Sequence, residues 1–361
     1  MDVSKLDTEA SWPIPAIDAL RGFAALGVAM AHFGQQEISL ADYGPFGLWI
    51  YQLGTWGVTI FFILSGFCIH GATLSAFRQG RGVRWKVFFK RRIFRIYPAF
   101  LAALVFAGIS AQYYQTELLK SSSWSASIKH LLLISNFSPH DRCSLNGVLW
   151  SVVMECHFYL LYPAYLYIIR RVGDFRAFGI VFVLGWIYFI TVTLLTSQGD
   201  FRVAMQFTFP ALWWKWCLGA LLAKIYFSPD KKLRPLLNIP YCVPILLSTS
   251  FVCALFKNGA LVLSFQRIAL PFILAAFLIT LVNKPQRSKN VLGIGGVGIV
   301  SYSIYLFHPI VLAPFSLHST GAWFIDILIF MGATVLLGWI GYHSIEKPCM
   351  TIGRRGESRR N

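Results

Sequence analysis

The segment GLWIYQLGTWGVTIFFILSGFCIHGA, residues 47–72, decides the fold class because it contains no Lys, Arg, Asp or Glu. As an α-helix, this segment would be about 39 Å long, more than the roughly 30 Å of hydrocarbon in a bilayer. Nine other apolar runs accompany it along the chain. The ten predicted spans are residues 16–35, 47–72, 98–117, 147–169, 178–197, 204–226, 239–256, 262–282, 291–315 and 322–343. The sequence therefore predicts an all-α, polytopic transmembrane helical bundle of about ten spans.

The composition excludes a soluble globular protein. Hydrophobic residues make up 56% of the 361 positions and charged residues only 13%, whereas ordinary soluble domains carry roughly 25% charged residues. The seven cysteines show neither the density of a disulfide scaffold nor metal-ligand spacing, so we expect no disulfide and no metal. A single membrane-embedded domain over residues 1–361 is predicted.

The positive residues behind the net charge of +17 are distributed unevenly between the two sides of the predicted bundle. Loops on the side of the two termini carry 24 Lys and Arg residues, and the opposite loops carry six. Because positively charged loops stay in the cytoplasm, both termini are predicted to be cytoplasmic, with a polar segment at 1–13 and a basic tail at 344–361. The charge therefore implies no nucleic-acid partner. The polar start and Arg21 within the first apolar run predict that no signal peptide is cleaved.

Two polar residues of the first span, Arg21 and His32, are 11 positions apart. Eleven residues turn an α-helix through about 1100°, close to three full turns, so both side chains lie on one face and about 16 Å apart along the axis. Lipid would penalise both side chains, which must therefore face protein or water. The shared face favours a functional role, although a hydrogen-bonded packing histidine would also satisfy the pattern.

The loop after the second span is the most basic segment of the chain and ends in RRIFRIYP, residues 91–98. If residues 84–96 are helical, Arg92 and Arg95 lie one turn apart on one face, a spacing suited to forked contacts with phosphate oxygens. Arg91 adds charge beside them. Contact with anionic lipid headgroups is the alternative.

Ser65 and Glu155 are candidate functional residues inside predicted spans. Ser65 lacks the G-x-S-x-G elbow of a serine nucleophile, and small residues in membrane helices more often permit close helix packing. An intramembrane carboxylate such as Glu155 is a candidate functional group by default, with Tyr159 one turn along the same face and His157 pointing away. Either proton transfer or the fixing of a cation would account for Glu155.

Three other features have both a functional and a structural interpretation. His308 precedes Pro309, which frees a backbone carbonyl one turn earlier, so His308 is a candidate to line a cavity. Lys215 lies among tryptophans, where packing of the cation on aromatic rings is the alternative. The amphipathic stretch 124–137 predicts either a helix at the outer surface or a spacer loop.

Taken together, these motifs resemble those of acyltransferase family 3, bacterial integral membrane proteins that O-acylate polysaccharides and some small molecules. The resemblance covers nearly the whole chain and depends on five motifs in the expected order. They are Leu20-Arg21-Gly22 with His32; Gly57-Val58 through Ser65-Gly66-Phe67; Arg92-x-x-Arg95; Trp150-Ser151 with Glu155 and Phe158-Tyr159; and Tyr302 through Pro309 with Glu346-Lys347-Pro348.

The resemblance implies a multi-pass protein of the bacterial inner membrane, embedded in the lipid bilayer. Such a protein transfers an acyl group, which we expect to be acetyl, from cytoplasmic acetyl-CoA or another acyl-CoA to a hydroxyl of a surface polysaccharide or other glycan. A neutral imidazole suits a general base, and arginines suit the CoA phosphates. The implied residues are His32, Arg21 and Glu155 for catalysis; Arg92, Arg95 and Arg91 for CoA; and Ser65, Tyr159 and His308 for the substrate.

The chain departs from the family pattern at two places. Thr59 stands where the family often has Asp, and Val153, Cys156 and His157 stand where Ser, Glu and Gln are usual. Proton handling in this chain is therefore expected to differ from that of many relatives. The sequence ends soon after the tenth predicted span, so the extracytoplasmic esterase-like domain of some relatives is not expected.

Two other functions are compatible with the sequence. A proton-coupled exporter would also place His, Glu and Arg within ten spans, although we find no internal repeat and the basic loop would have no clear task in a proton relay. A scaffold of a polysaccharide-export complex would need no single intramembrane residue. Binding of acyl-CoA distinguishes the enzyme from both.

Overall fold

The computed structural model describes residues 14–37, 44–114, 124–228, 265–283, 295–316, 320 and 322–355. All regular secondary structure within these ranges is helical. The first eight helices are α1 (Pro15–Glu37), α2 (Gly44–Arg78), α3 (Trp85–Tyr113), α4 (Trp124–Leu131), α5 (Leu149–Val172), α6 (Asp174–Leu195), α7 (Asp200–Gln206) and α8 (Phe209–Tyr226). The others are α9 (Leu270–Asn283), α10 (Gly295–Ile299), α11 (Ser301–Leu312), α12 (Trp323–Gly341) and α13 (Lys347–Arg354).

Seven helical segments of the described ranges are long and apolar enough to cross a membrane. They are Pro15–Gln35, Ile50–Arg78, Trp85–Tyr113, Leu149–Val172, Asp174–Leu195, Phe265–Asn283 and Trp323–Arg354. The prediction of an all-α, multi-spanning membrane protein is thereby confirmed for the described residues. The predicted span at 239–256 lies outside them.

Helix α3 differs most from its predicted span, because it begins at Trp85 rather than at residue 98. Pro98 lies inside this helix and does not end it. In a membrane protein, neighbouring helices and local adjustments re-satisfy the backbone groups that a proline frees. The prediction that 84–96 are helical is confirmed except at Arg84, which caps the helix, so the arginines of this segment lie on a rigid element.

Three other predicted boundaries are wrong. The predicted span 204–226 is two helices, since α8 begins at Phe209, with Pro210 in its first turn, after a break at Phe207. The span 291–315 is interrupted between α10 and α11 at Val300. Beyond 343, the helix continues through a π turn at Tyr342–Glu346 into α13, so the start of the predicted tail is helical.

Helices α3, α6 and α12 present large exposed apolar side chains. Soluble proteins rarely expose continuous apolar surfaces of this extent, and lipid is the environment that suits them. These exposed residues include Leu101, Val105, Phe106 and Ile109 on α3; Val183, Leu184, Ile187, Ile190 and Leu194 on α6; and Phe324, Leu328, Leu336 and Trp339 on α12. Helices α1, α2, α8 and α11 instead pack in the centre of the bundle.

Helices α2 and α8 cross at two glycines. A Cβ on Gly66 would overlap the backbone of Trp216, and a Cβ on Gly219 would overlap the carbonyl of Ile63. Only glycine allows the two backbones to approach so closely, as small residues do in membrane helix interfaces. The prediction that small residues around Ser65 serve packing is therefore confirmed for Gly66. This contact fixes the position of Ser65 and of the tryptophans of α8.

Substituting Gly219 with Ala should lower the melting temperature of the purified protein, because the added methyl group forces α2 and α8 apart. Overpacking of this kind costs about 1 to 3 kcal/mol. The matched control is Gly179→Ala on α6, where the added methyl group meets no atom within 4 Å. There the better helix propensity of Ala should leave stability unchanged or raise it by up to about 1 kcal/mol. Equal melting temperatures of the two variants would contradict the packing role of Gly219.

Candidate active site

A cavity of about 80 Å³ collects polar side chains from five helices. We call it the arginine cavity, after Arg21 of α1 and Arg92 and Arg95 of α3. Its other polar lining residues are Ser65 and Cys68 of α2; Ser151, Glu155 and Tyr159 of α5; and Ser301, Tyr302 and Tyr305 at α11. Six of the residues named from the sequence therefore meet at one place, although they come from four separate segments of the chain.

A directed chain of hydrogen bonds ends at Glu155. The indole Nε1 of Trp216 donates to Ser65 Oγ at 3.2 Å, and Ser65 Oγ lies 3.2 Å from the hydroxyl of Tyr159. That hydroxyl donates its only hydrogen to the Glu155 carboxylate, so Ser65 must donate to Tyr159. A proton can pass along this chain from Ser65 towards Glu155.

Arg21 and Arg92 of this cavity are held in different ways. Arg21 lies 3.6 Å from Asp18 and donates to Cys68 Sγ at 3.5 Å. The guanidinium of Arg92 stacks 5.5 Å from the centre of the Tyr159 ring, and its buried Nε has no hydrogen-bond partner within the described residues. A buried donor without a partner costs free energy that an incoming anion would recover.

The arginine cavity adjoins a basic opening. A space of about 440 Å³ is lined by Arg91, Arg92, Arg95, Met350 and Arg354, and so joins α3 to the end of α13. Arg92 and Arg95 line both spaces. Arg91 therefore lies in the opening rather than in the cavity. Arg354, which the sequence places in a basic tail, lies there because α13 packs against α3.

Glu346, from the closing motif, also lies inside the bundle. It is 3% exposed and accepts a hydrogen bond of 3.0 Å from Ser303 of α11. It also lies close enough to Arg95 to attract the guanidinium. The closing motif therefore supplies a counter-charge to the arginine cavity.

A second, larger cavity of about 540 Å³ lies towards the other end of α1. We call it the histidine cavity, after His32. Its other polar lining residues include Gln35, Thr55, Thr59, Arg142, Gln206, Lys215, Gln266 and Arg267, and its aromatic residues include Tyr51, Trp150, Trp186, Phe189, Phe207 and Trp214. Thr59 thus occupies the cavity wall at the position where the family often has Asp.

The two cavities are contiguous. Val58, Phe62 and Tyr305 line both of them. Arg21 and His32, predicted on one face of the first span, therefore face two spaces that share a wall. This arrangement places the arginines and the histidine on the two sides of one wall.

His32 is fixed by a second histidine. His32 Nδ1 lies 2.9 Å from His308 Nε2, and His308 Nδ1 lies 2.9 Å from the carbonyl oxygen of Tyr305. A carbonyl only accepts, so Nδ1 of His308 carries the hydrogen and, in the neutral ring, Nε2 accepts. His32 must then donate from Nδ1, which leaves the lone pair of its Nε2 free. An imidazole in this tautomer can accept a proton.

His308 itself is completely buried and does not line either cavity within the described residues. Its place behind His32 differs from the substrate contact inferred for it from the family resemblance. The pair joins residues 276 positions apart, a relation that no local pattern in the sequence indicates.

The segment before α5 is held by an ion pair. Lys129 of α4 lies 2.6 Å from Asp141, next to Arg142 of the histidine cavity. Burial raises the pKa of Asp141, but hydrogen bonds from Lys129 and Ser138 and the charge of Lys129 outweigh it and leave the pKa below its ordinary value. The ion pair therefore stabilises this segment at neutral pH and weakens as acid protonates Asp141. The predicted helix at 124–137 ends at Leu131, followed by a single turn at Ser135–Phe137.

No group of three or more His, Cys, Asp or Glu side chains able to hold a metal occurs in the ranges given above.

Comparison with known proteins identifies the family. A family model described as an acyltransferase domain matches residues 14–343. The chain therefore belongs to acyltransferase family 3, as its motifs indicated. No solved structure matches the chain significantly.

Three relatives illustrate the similarity. The peptidoglycan O-acetyltransferase OatA of Listeria monocytogenes is 26% identical over 94% of this chain and 56% of its own length. The O-acetyltransferase OatA of Staphylococcus aureus is 24% identical over 94% of this chain and 58% of its own length. The acyltransferase MdmB of Streptomyces mycarofaciens is 32% identical over 44% of this chain and 41% of its own length. The chain thus spans about half the length of the curated relatives it matches.

Proposed function

We propose that the chain is a membrane O-acyltransferase that takes an acetyl group from acetyl-CoA at the arginine cavity and transfers it to a hydroxyl of a glycan in the histidine cavity. The observation that carries this proposal is the shared wall of Val58, Phe62 and Tyr305 between the two cavities. It supports a route on which an anionic donor and a hydroxyl acceptor meet from opposite ends of α1.

The basic opening suits the CoA part of the donor. Phosphates are bound by forked guanidinium contacts, and Arg91, Arg92, Arg95 and Arg354 present four guanidinium groups around one space. Arg21, deeper in the bundle, would hold the thioester end. The thioester itself would lie next to the shared wall.

His32 would act as the general base. Its Nε2 would take the proton of the acceptor hydroxyl while that oxygen attacks the thioester carbonyl. The carbon–sulfur bond then breaks, and the CoA thiolate leaves and is reprotonated. Glu155 accepts the hydrogen bond of Tyr159, whose ring packs against the guanidinium of Arg92. Ser65 donates to Tyr159 in the same chain of hydrogen bonds.

We also propose that the chain lies in the bacterial inner membrane as one membrane domain of ten spans. Both of its termini would then lie in the cytoplasm. The cations of the described residues support it, because they gather at the end of the bundle that holds the basic opening. Those at this end are Arg78, Arg81, Arg84, Lys86, Lys90, Arg91, Arg170, Arg171, Arg176, Lys224, Lys347, Arg354 and Arg355, whereas Lys129, Arg142 and Arg202 lie at the other end.

The direct test uses the purified full chain with acetyl-CoA and a panel of oligosaccharides. Mass spectrometry should detect a glycan product heavier by one acetyl unit, and free CoA should form in equal amount. Calorimetry should detect acetyl-CoA binding in the absence of glycan. A chain that neither binds acetyl-CoA nor acetylates any glycan would be better described as an exporter.

Replacing His308 should affect the rate rather than acceptor binding, because His308 positions His32. We expect His308→Leu to lower kcat by about 10²-fold or more with KM for the acceptor little changed, since the Nδ1 hydrogen of His32 loses its acceptor. His308→Gln should restore part of the rate, because its amide can accept from His32 and donate to the Tyr305 carbonyl. An equal loss in both variants, or a loss confined to KM, would contradict the positioning role.

A further inference from the structure

The histidine cavity contains three cations from three separate segments. Arg142 precedes α5, Lys215 lies on α8, and Arg267 lies on the turn before α9. No Asp or Glu lines this cavity within the described residues. Lys215 and Arg267 are also close enough to repel each other. The cavity therefore concentrates positive charge without a protein counter-charge from the described part of the chain.

Lys215 is the most informative of the three. Its side chain is 8% exposed, it lines the cavity, and it makes no hydrogen bond or ion pair with any other described residue. Burying an unpaired ammonium group is costly, and intramembrane cations usually mark a ligand path. Cation packing on the neighbouring tryptophans reduces this cost but supplies no negative charge.

The two arginines are held in a way that leaves donor groups available. Arg142 stacks 5.0 Å from the centre of the Phe207 ring, and its buried Nε has no hydrogen-bond partner within the described residues. Arg267 stacks 4.2 Å from the centre of the Phe189 ring and gives one hydrogen bond of 2.8 Å to Gln206. A guanidinium stacked by its face keeps its N–H edge free for a carboxylate or phosphate.

The rest of the cavity suits a carbohydrate. Amide and hydroxyl groups of Gln35, Thr55 and Gln266 can bind sugar hydroxyls, and Trp150 and Trp186 offer aromatic rings to pack against the sugar. The volume of about 540 Å³ lies within the range of small-molecule sites.

We propose that the histidine cavity recognises an anionic glycan, in which a carboxylate or phosphate on the acceptor is bound by Lys215, Arg142 and Arg267 while a hydroxyl of the same molecule reaches His32. This inference rests on the proposed transferase function and names the substrate class of its acceptor. The anion neutralises the buried cations, so binding of the acceptor and relief of charge repulsion occur together.

The test measures acceptor binding to the purified full chain in nanodiscs of neutral lipid, without acetyl-CoA. The probes are digalacturonic acid, its carboxyl-reduced counterpart digalactose, and galactose 1-phosphate. We expect the diacid to bind at least about tenfold more tightly than digalactose, because charge-assisted contacts are lost in the neutral sugar. Comparison of the diacid with the sugar phosphate distinguishes the carboxylate from the phosphate as the bound group.

Variants of the cavity residues test which side chains recognise the anion. Lys215→Met should remove most of the preference for the anionic probes, and Lys215→Arg should retain it. Lys224→Met is the matched control, because Lys224 lies on the same helix, outside the cavity, 3.5 Å from Asp174. Binding of acetyl-CoA shows whether Lys215→Met is folded. If Lys215→Met fails to fold, Arg267→Gln replaces it in the test, because it removes a different charge from the same cavity.

The inference would be overturned if neither anionic probe bound more tightly than digalactose, or if the preference were unchanged in both Lys215→Met and Arg267→Gln. A parallel acetylation assay separates this failure from failure of the proposed function. Transfer to neutral and anionic glycans at equal rates would overturn only the acceptor class. Preferential binding of the anionic probes, with no acetyl transfer to any probe, would support this site and overturn the transferase.

Discussion

His32→Gln should lower acetyl transfer by about 10²- to 10⁴-fold while leaving membrane insertion and acetyl-CoA binding intact. Gln can reproduce the hydrogen bond to His308, but its amide cannot take up the proton of the acceptor hydroxyl. The loss would be larger still if the imidazole also carried the acetyl group. His32→Ala should be at least as inactive.

The measurement compares initial rates of purified wild-type and variant protein at equal concentration, with acetyl-CoA affinity determined on the same samples. His343→Gln is the control, because His343 is exposed in the π turn after α12 and lines neither cavity. It should retain the wild-type rate. Near-normal transfer by His32→Gln would mean that His32 is structural, and Glu155 would then become the candidate base.

The double variant Arg92→Ala with Arg95→Ala should raise the dissociation constant of acetyl-CoA by about 10²- to 10⁴-fold. Each charge-assisted contact to phosphate is worth about 1.5 to 3 kcal/mol, and two are lost. The double Lys replacement should recover only part of the affinity, since an ammonium group lacks the forked geometry of guanidinium.

Calorimetry of acetyl-CoA binding in detergent measures this effect. Arg170→Ala with Arg171→Ala is the matched control, because it removes the same charge at the end of α5, outside the arginine cavity and the basic opening. It should bind acetyl-CoA normally. An unchanged affinity in the Arg92 and Arg95 variant would remove α3 from the donor site.

Local patterns predicted the parts of the site that depend on a single helix. The 11-residue interval between Arg21 and His32 placed both on an interior face, and the one-turn interval between Arg92 and Arg95 placed both beside one cavity. Glu155 and Tyr159, predicted by their spacing to share one face, are hydrogen-bonded to each other. Helical periodicity and the cost of charge in lipid suffice for these predictions.

Contacts between distant segments could not be predicted in this way. The pairing of His32 with His308 and that of Ser65 with Trp216 depend on how helices pack, which periodicity does not specify. The extent of the helices was also misjudged where hydropathy and backbone geometry disagree. The arginines made the first turns of α3 resemble a polar loop in the sequence. The apolar residues around Pro210 made the break before α8 resemble part of a single span.

In the proposed reaction, one chain carries an acetyl group from a donor at one end of the bundle to an acceptor at the other. Proteoliposomes test it directly, with oriented protein, labelled acetyl-CoA outside and a glycan acceptor enclosed in the lumen. When the basic opening faces outwards, label should appear on the enclosed glycan, and His32→Gln liposomes should show none. Label that reaches the glycan only when donor and acceptor share one compartment would contradict transfer from one end of the bundle to the other.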